Sequence, residues 1–127
     1  MSKIKLIHTE DAPAAVGPYS QATLADGLLF VSGQLGIIPG QGTLAQGFKA
    51  QARQALDNLK TIVEAAGSSL DKVLAVDVFV MDMGRFADLN AIYSEYFTDH
   101  KPARAAIQVA GLPLGGLVEL KCVAKTD

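Results

Sequence analysis

The sequence predicts a two-layer α+β domain in which a mixed β-sheet of about six strands carries two helices on one face. Three observations lead there. Hydrophobic periodicity along the chain reads β-β-β-α-β-α-β-β. Only two segments have helical spacing, too few to cover both faces of a sheet that size. Half of the residues are hydrophobic and only 19% are charged, below the usual charged share of about 25%. Apolar surface is therefore left over once a core is filled, and a buried interface on the bare sheet face is an outlet for it.

The elements follow in order. Ile4 to Ile7 alternates with lysines as a first strand, and the Ala- and Pro-rich stretch Thr9 to Gly17 reads as a loop. Gln21 to Ala25 and Leu28 to Gln34 flank Asp26-Gly27, a strong two-residue hairpin signal. Gly36 to Gly42 contains Pro39-Gly40 and is a turn or loop. Phe48 to Ala66 is the clearest helix: Phe48, Ala52, Ala55, Leu56, Leu59, Ile62, Val63 and Ala66 line one face, and Lys49, Arg53, Asp57, Lys60 and Glu64 the other. Gly67 stands where a left-handed C-terminal cap is wanted. Val73 to Val80 is a nearly continuous apolar run, typical of a buried strand. Phe86, Leu89, Ile92, Tyr93 and Tyr96 mark a second amphipathic helix. Ala103 to Val109 and Leu117 to Ala124 are two further strands, read as a hairpin across a loop with Gly and Pro.

The 127 residues fit one domain, 1–127, without a linker or repeat. The net charge is −2 with lysines and arginines scattered, so no footprint for nucleic acid or an anionic membrane is present. No run approaches the roughly 20 apolar residues of a membrane span. Met1 to Glu10 lacks the apolar core of a signal peptide. The single cysteine, Cys122, permits no intrachain disulfide, and a cytoplasmic protein is expected.

Common enzyme signatures are absent. There is no Cys/His cluster for zinc, His8 and His100 lack ligand spacing, and no nucleophile elbow or glycine-rich phosphate loop appears. Neither a metal nor a cofactor is expected. Four places stand out. Arg104 begins an otherwise apolar strand, and arginine is seldom buried without a partner, so it reaches solvent or binds an anion. Glu119 sits mid-strand in Leu117-Val-Glu-Leu120. If the intervening loop spans Ala110 to Pro113, Arg104 faces Glu119 across the hairpin and the two share a sheet face. They then form either a surface ion pair worth under about 1 kcal/mol or part of a site. Gly17-Pro18-Tyr19-Ser20 presents a phenol on a tight segment. Val31-Ser32-Gly33-Gln34 ends a strong strand on small polar residues, marking a bulge or a close approach.

These blocks resemble the RidA (YjgF) family. The resemblance rests on Ala12 to Gln21, on Val31-Ser32-Gly33-Gln34, on Gln51 to Leu59, on Ile62 to Gly67, on Pro102-Ala103-Arg104 and on Leu117-Val118-Glu119, in family order and across nearly the whole chain. It implies a chorismate-mutase-like fold and a homotrimer whose sheets form a central β-barrel, with pockets at the subunit interfaces. It implies a cofactor-free hydrolytic deaminase that converts reactive 2-imino or 2-enamino acids, such as 2-aminoacrylate and 2-iminopropanoate, to 2-keto acids and ammonia. Arg104 then grips the substrate carboxylate and Glu119 handles the attacking water. Tyr19, Ser32, Gly33 and Asn90 line the pocket. Ala106 stands where the family often has cysteine, which leaves a backbone carbonyl there but no thiol. Lys101 replaces an aromatic residue often found before the proline. Two other readings stand beside it: a non-catalytic trimer that binds small carboxylates or acts as a holdase, and an endoribonuclease or translation inhibitor, disfavoured by the low basicity.

Overall fold

Eight elements follow the predicted order in the computed structural model, which describes residues 3–127; Met1 and Ser2, the start of the Met1 to Glu10 stretch, lie outside the described residues. The strands are β1 (Lys5–Ile7), β2 (Ala22–Ala25), β3 (Leu28–Leu35), β4 (Val73–Val80), β5 (Ala103–Gln108) and β6 (Val118–Lys125). The helices are α1 (Phe48–Ala65) and α2 (Phe86–Tyr96). Boundaries fall within a residue or two of those expected.

The β2–β3 hairpin closes at Asp26-Gly27, with φ of 53° and 77°. Both central residues are left-handed, as a turn matched to strand twist requires. Helix α1 ends as Gly67 (φ 86°) donates to the Glu64 carbonyl and Ser68 donates to that of Val63. The end is an ordinary glycine-capped one.

The six strands form one sheet in the order β1-β2-β3-β6-β4-β5. All neighbours are antiparallel except β4 and β5, which are parallel. Side chains alternate across it. On β6, Val118, Leu120, Cys122 and Ala124 are buried, while Glu119, Lys121 and Val123 point to the opposite face. On β4, Val76, Val78 and Val80 face the core and Asp77 and Phe79 face away. Leu56, Leu59, Ile62 and Val63 of α1 and Leu89 and Ile92 of α2 complete the core from one side. Both helices therefore lie on one face. The other is bare, and Leu6 (66% exposed), Phe30 (48%) and Ile107 (51%) lie on it.

The expected β5–β6 hairpin does not form. Strand β4 lies between β5 and β6: Arg104 is registered with Val76 of β4, and Glu119 with Phe79 of β4 and Leu35 of β3. Two physical facts explain this. A strand–helix–strand run favours a parallel crossover, which α2 makes between β4 and β5. Strand β6, with four buried positions, gains more at the centre of the sheet than the largely exposed β5. The segment after β5, with a short 3₁₀ turn at Pro113–Gly115, is long enough to carry the chain past β4. The Arg104–Glu119 pairing and the shared face are thereby overturned.

One buried polar side chain ties α1 to the end of β3. Asn58 donates through Nδ2 to the carbonyls of Leu35 (3.1 Å) and Ile37 (2.9 Å) and accepts from Gln54 Nε2 at 2.8 Å. Replacing it strands two carbonyls at a buried position, each at a cost of about 1–3 kcal/mol. Asn58→Ala should lose about 2–4 kcal/mol in urea unfolding, and a loss below about 0.5 kcal/mol would remove Asn58 from this role.

Candidate active site

The two faces of the sheet carry two separate polar groupings. On the bare face, Glu119 lines a cavity of about 470 Å³ with Tyr19, Ser32, Gly33, Gln34 and Lys121. Its apolar wall includes Pro13, Val16, Phe79 and Pro113.

Local structure explains each position. The β3 ladder slips out of register between Val31 and Gln34, so Ser32 and Gly33 sit on a bulge. Ser32 Oγ donates to the Ser20 carbonyl at 2.6 Å, and its N–H donates to the Gln21 carbonyl at 2.9 Å. These two bonds hold the Tyr19 segment against the bulge. Gln21 pins the preceding loop: Nε2 donates to the carbonyls of Thr9 (3.0 Å) and Pro13 (2.9 Å), and Oε1 accepts from Thr9 N–H at 2.7 Å. Tyr19 is 47% exposed, and its hydroxyl accepts from Val16 N–H at 3.2 Å. A Cβ on residue 33 would stand 2.8 Å from Glu119 Cδ and 2.9 Å from Oε2, closer than real contacts allow. Only glycine lets the carboxylate lie where it does. Of the two readings of this segment the bulge holds; what comes close to Gly33 is a side chain, not another backbone. Glu119 is half-buried, and desolvation pushes its carboxyl above the ordinary 4.5.

On the helix face, Arg104 meets α2. Its Nη1 donates to Asn90 Oδ1 at 2.9 Å, and its guanidinium carbon lies 4.8 Å over the Tyr93 ring centre and 5.2 Å over that of Phe86. Arg53 and Arg85 each face a carboxylate, Glu95 at 2.6 Å and Asp88 at 3.3 Å. Among the described residues Arg104 faces none. Asn90 and Arg104 share a small cleft with Tyr93, Ser94 and Lys101. Ala106 follows on the same face, registered with Val78 and packed on the core, and lines neither cavity.

Of the seven residues expected at the site, the structure thus joins Tyr19, Ser32, Gly33 and Glu119 in one pocket. It places Arg104 and Asn90 together on the other side of the sheet. Gln34 was named only as part of the Val31–Gln34 block and Lys121 was not singled out; Lys121 follows from the period of β6, two residues beyond Glu119 on the same face. His100 donates a ring N–H to the Val73 carbonyl at 2.6 Å and so anchors the approach to β5. Cys122 is buried, its thiol pushed up to about 12 by desolvation, which makes it an unreactive core residue. Among the described residues no three His, Cys, Asp or Glu side chains form a metal-ligand set, and no helix is long and apolar enough to cross a membrane.

The profile of the Endoribonuclease L-PSP family, which is the YjgF/RidA family, matches residues 9–126. The chain belongs to the RidA family. Over 121 residues it is 47% identical to a 2-iminobutanoate/2-iminopropanoate deaminase of Bos taurus, covering 94% of this chain and 88% of that protein. It superposes on the crystal structure of RidA from an Antarctic Psychrobacter with a TM-score of 0.94 at 46% identity, covering 95% of this chain and 98% of that one. The E. coli protein TdcF, solved with bound serine, gives a TM-score of 0.93 at 36% identity, covering 97% and 99%. These likenesses extend over whole RidA chains, so the α+β fold with its six-stranded mixed sheet is the fold of this group.

The environment of Glu119 predicts a pH signature. Its folded-state pKa is raised, so the cost of its buried charge is present above that pKa and relieved as pH falls below it. Glu119→Gln cannot ionise. The variant should match the wild type in thermal stability near pH 4 and exceed it at pH 7. A variant less stable than the wild type at pH 7 would mean that the carboxylate is held by partners rather than desolvated.

Proposed function

We propose that this chain is a hydrolytic deaminase of small 2-imino acids, working in the cytoplasm as a homotrimer without metal or cofactor. The observation that carries the reading is Glu119: a half-buried carboxylate of raised proton affinity facing an open cavity, next to a glycine that leaves it room. The names of the relatives supply the substrate class.

A protonated imine is already electrophilic, so what helps is orientation and a base for water. Glu119 takes a proton as the water oxygen bonds to the imine carbon. The adduct carries hydroxyl and amine on that carbon. Return of the proton from Glu119 to the nitrogen lets the C–N bond break, and the hydroxyl proton passes to the departing ammonia as the carbonyl forms, so one protonated imine and one water give one keto acid and one ammonium ion. Tyr19 and Ser32 border the reacting carbon, and the Gly33 and Ala106 backbones offer polar atoms without bulk. Arg104 and Asn90 bind the substrate carboxylate, the arginine through a two-pronged contact.

Arg104 and Glu119 lie on opposite faces of one sheet, so a single site must take them from two protomers. The bare apolar face would close against its copies around a threefold axis as a central barrel. A second reading, a carboxylate-binding regulator, draws on the serine bound to TdcF and needs only Arg104 and Asn90. The activity of Glu119 separates the two. The activity in the family's descriptive name finds no support in a net charge of −2 with scattered basic residues.

The decisive assay generates 2-aminoacrylate enzymatically and follows pyruvate. The protein should accelerate its appearance, in the presence of EDTA as in its absence. Light scattering should give about three times the 13.3 kDa chain mass. Glu119→Gln should retain carboxylate binding and lower kcat by about 10²- to 10⁴-fold. Arg104→Ala should lower kcat/KM by about 30- to 3,000-fold, the equivalent of about 2–5 kcal/mol. Arg104→Lys should restore part of this, since a point charge lacks the fork. Unfolding and co-refolding the two inactive variants should regain activity, because mixed interfaces pair an intact Arg104 with an intact Glu119. No gain in mixed trimers would refute the shared site, and wild-type kcat in Glu119→Gln would favour the regulator.

A further inference from the structure

We propose that Phe86 and Tyr93 are positioning residues: their rings form a platform that fixes the plane of the Arg104 guanidinium, so that one edge of it stays open for a carboxylate. The inference rests on the reading of Arg104 as the carboxylate clamp and adds what makes the clamp rigid.

The argument begins with helix spacing. Phe86, Asn90 and Tyr93 are four and three residues apart on α2, which brings them onto one face of the helix. That face meets β5, where Arg104 projects beside Val76. Both ring centres lie within the roughly 6 Å at which a guanidinium is held by an aromatic face. Nη1 donates to Asn90 Oδ1 at 2.9 Å. Stacking fixes the plane, and the hydrogen bond fixes rotation within it. The edge formed by Nε and Nη2 remains, and that edge matches the two oxygens of a carboxylate. An arginine so held gives up less side-chain freedom when the anion arrives.

Tyr93 contributes its ring and not its hydroxyl. The residue is 8% exposed, and the hydroxyl is buried without a hydrogen-bond partner. Burial pushes it up to about 12, with the nearby Arg104 charge acting in the other direction, so it is a neutral phenol at ordinary pH. A polar group this costly to bury serves no partner here, whereas the ring below it carries the cation.

The test compares Tyr93→Leu, Phe86→Leu, Tyr93→Phe and Arg104→Ala in the assembled protein. Calorimetry reads the affinity for 2-oxobutanoate and for its uncharged amide, 2-oxobutanamide. Each leucine variant should weaken binding of the acid by about 3- to 30-fold and leave the amide unchanged, so that preference for the acid falls. In turnover, KM should rise by that factor with kcat within about threefold. Tyr93→Phe should keep wild-type preference, since the ring remains. If acid and amide affinities fall together, or preference survives both leucine variants, the platform is ordinary core packing and the proposal fails. Should Tyr93→Leu not assemble, Phe86→Leu decides alone. Arg104→Ala is the separate control: if it binds the acid as the wild type does, or if the wild type does not bind it, the clamp reading falls and the platform with it.

Discussion

Strand β6 divides its side chains between two environments, and most of the chemistry of this molecule depends on that division. Four alternate positions, Val118, Leu120, Cys122 and Ala124, are almost fully buried under the helices. Between them Glu119 and Lys121 have nowhere to go but the opposite face. A shift of one residue in register would put a carboxylate and an ammonium into the core, where each would cost several kcal/mol. The apolar half of β6 therefore fixes the direction of its polar half. The position of Glu119 is set by leucine and valine more than by anything it touches.

The same strand has to be central for this to work. With β3 on one side and β4 on the other, its register is held by two ladders. The β3 side carries the bulge at Ser32-Gly33. It is the glycine on that bulge that leaves room for the Glu119 carboxyl, since a Cβ there would crowd it. The stability given up at the bulge is offset nearby by buried polar anchors: Gln21 on the loop before it and Asn58 on the carbonyls after it. Gln21 binds the backbone of a loop, and Asn58 binds it at the end of β3 and just beyond, where unpaired carbonyls would otherwise be expensive.

This physics explains what was legible in the sequence. Element identity came from periodicity, and the strongest patterns were right: α1, the Asp26-Gly27 hairpin and the apolar run of β4. Tyr19, Ser32, Gly33 and Glu119 were singled out by local composition and by the resemblance to RidA proteins, and they do meet in one pocket. Strand neighbours were less legible. The hairpin between β5 and β6 assumed that consecutive strands pair, whereas the βαβ run from β4 through α2 to β5 called for a parallel neighbour. The two rules compete, and burial decides between them: β5 reads Ala-Arg-Ala-Ala-Ile-Gln with every position at least partly exposed, which suits an edge. Phe86 and Tyr93 were read only as part of the apolar face of an amphipathic helix, and nothing in their spacing announced a cation above them. That information is tertiary, since it depends on which strand lies under the helix.

Arg104, exposed on the edge strand, poses the remaining question of energetics: why this arginine has no carboxylate beside it. Two of the three arginines in the chain illustrate the usual solution, since Arg53 and Arg85 each meet an acid. A permanent acid beside Arg104 would occupy the donors that an incoming anion needs, and the anion would have to displace it. Aromatic faces are a different kind of partner. They attract the cation through the ring quadrupole and shelter its weakly hydrated plane, yet they use none of its N–H groups. Asn90 takes one N–H and brings no charge. The combination holds the side chain in place while leaving its charge uncompensated, which is the arrangement expected of a group whose counter-ion is a ligand. On the proposed reading, the empty site is then a guanidinium awaiting an anion on one protomer and a carboxylate awaiting a water on another. The sheet between them keeps the two from neutralising each other within a chain.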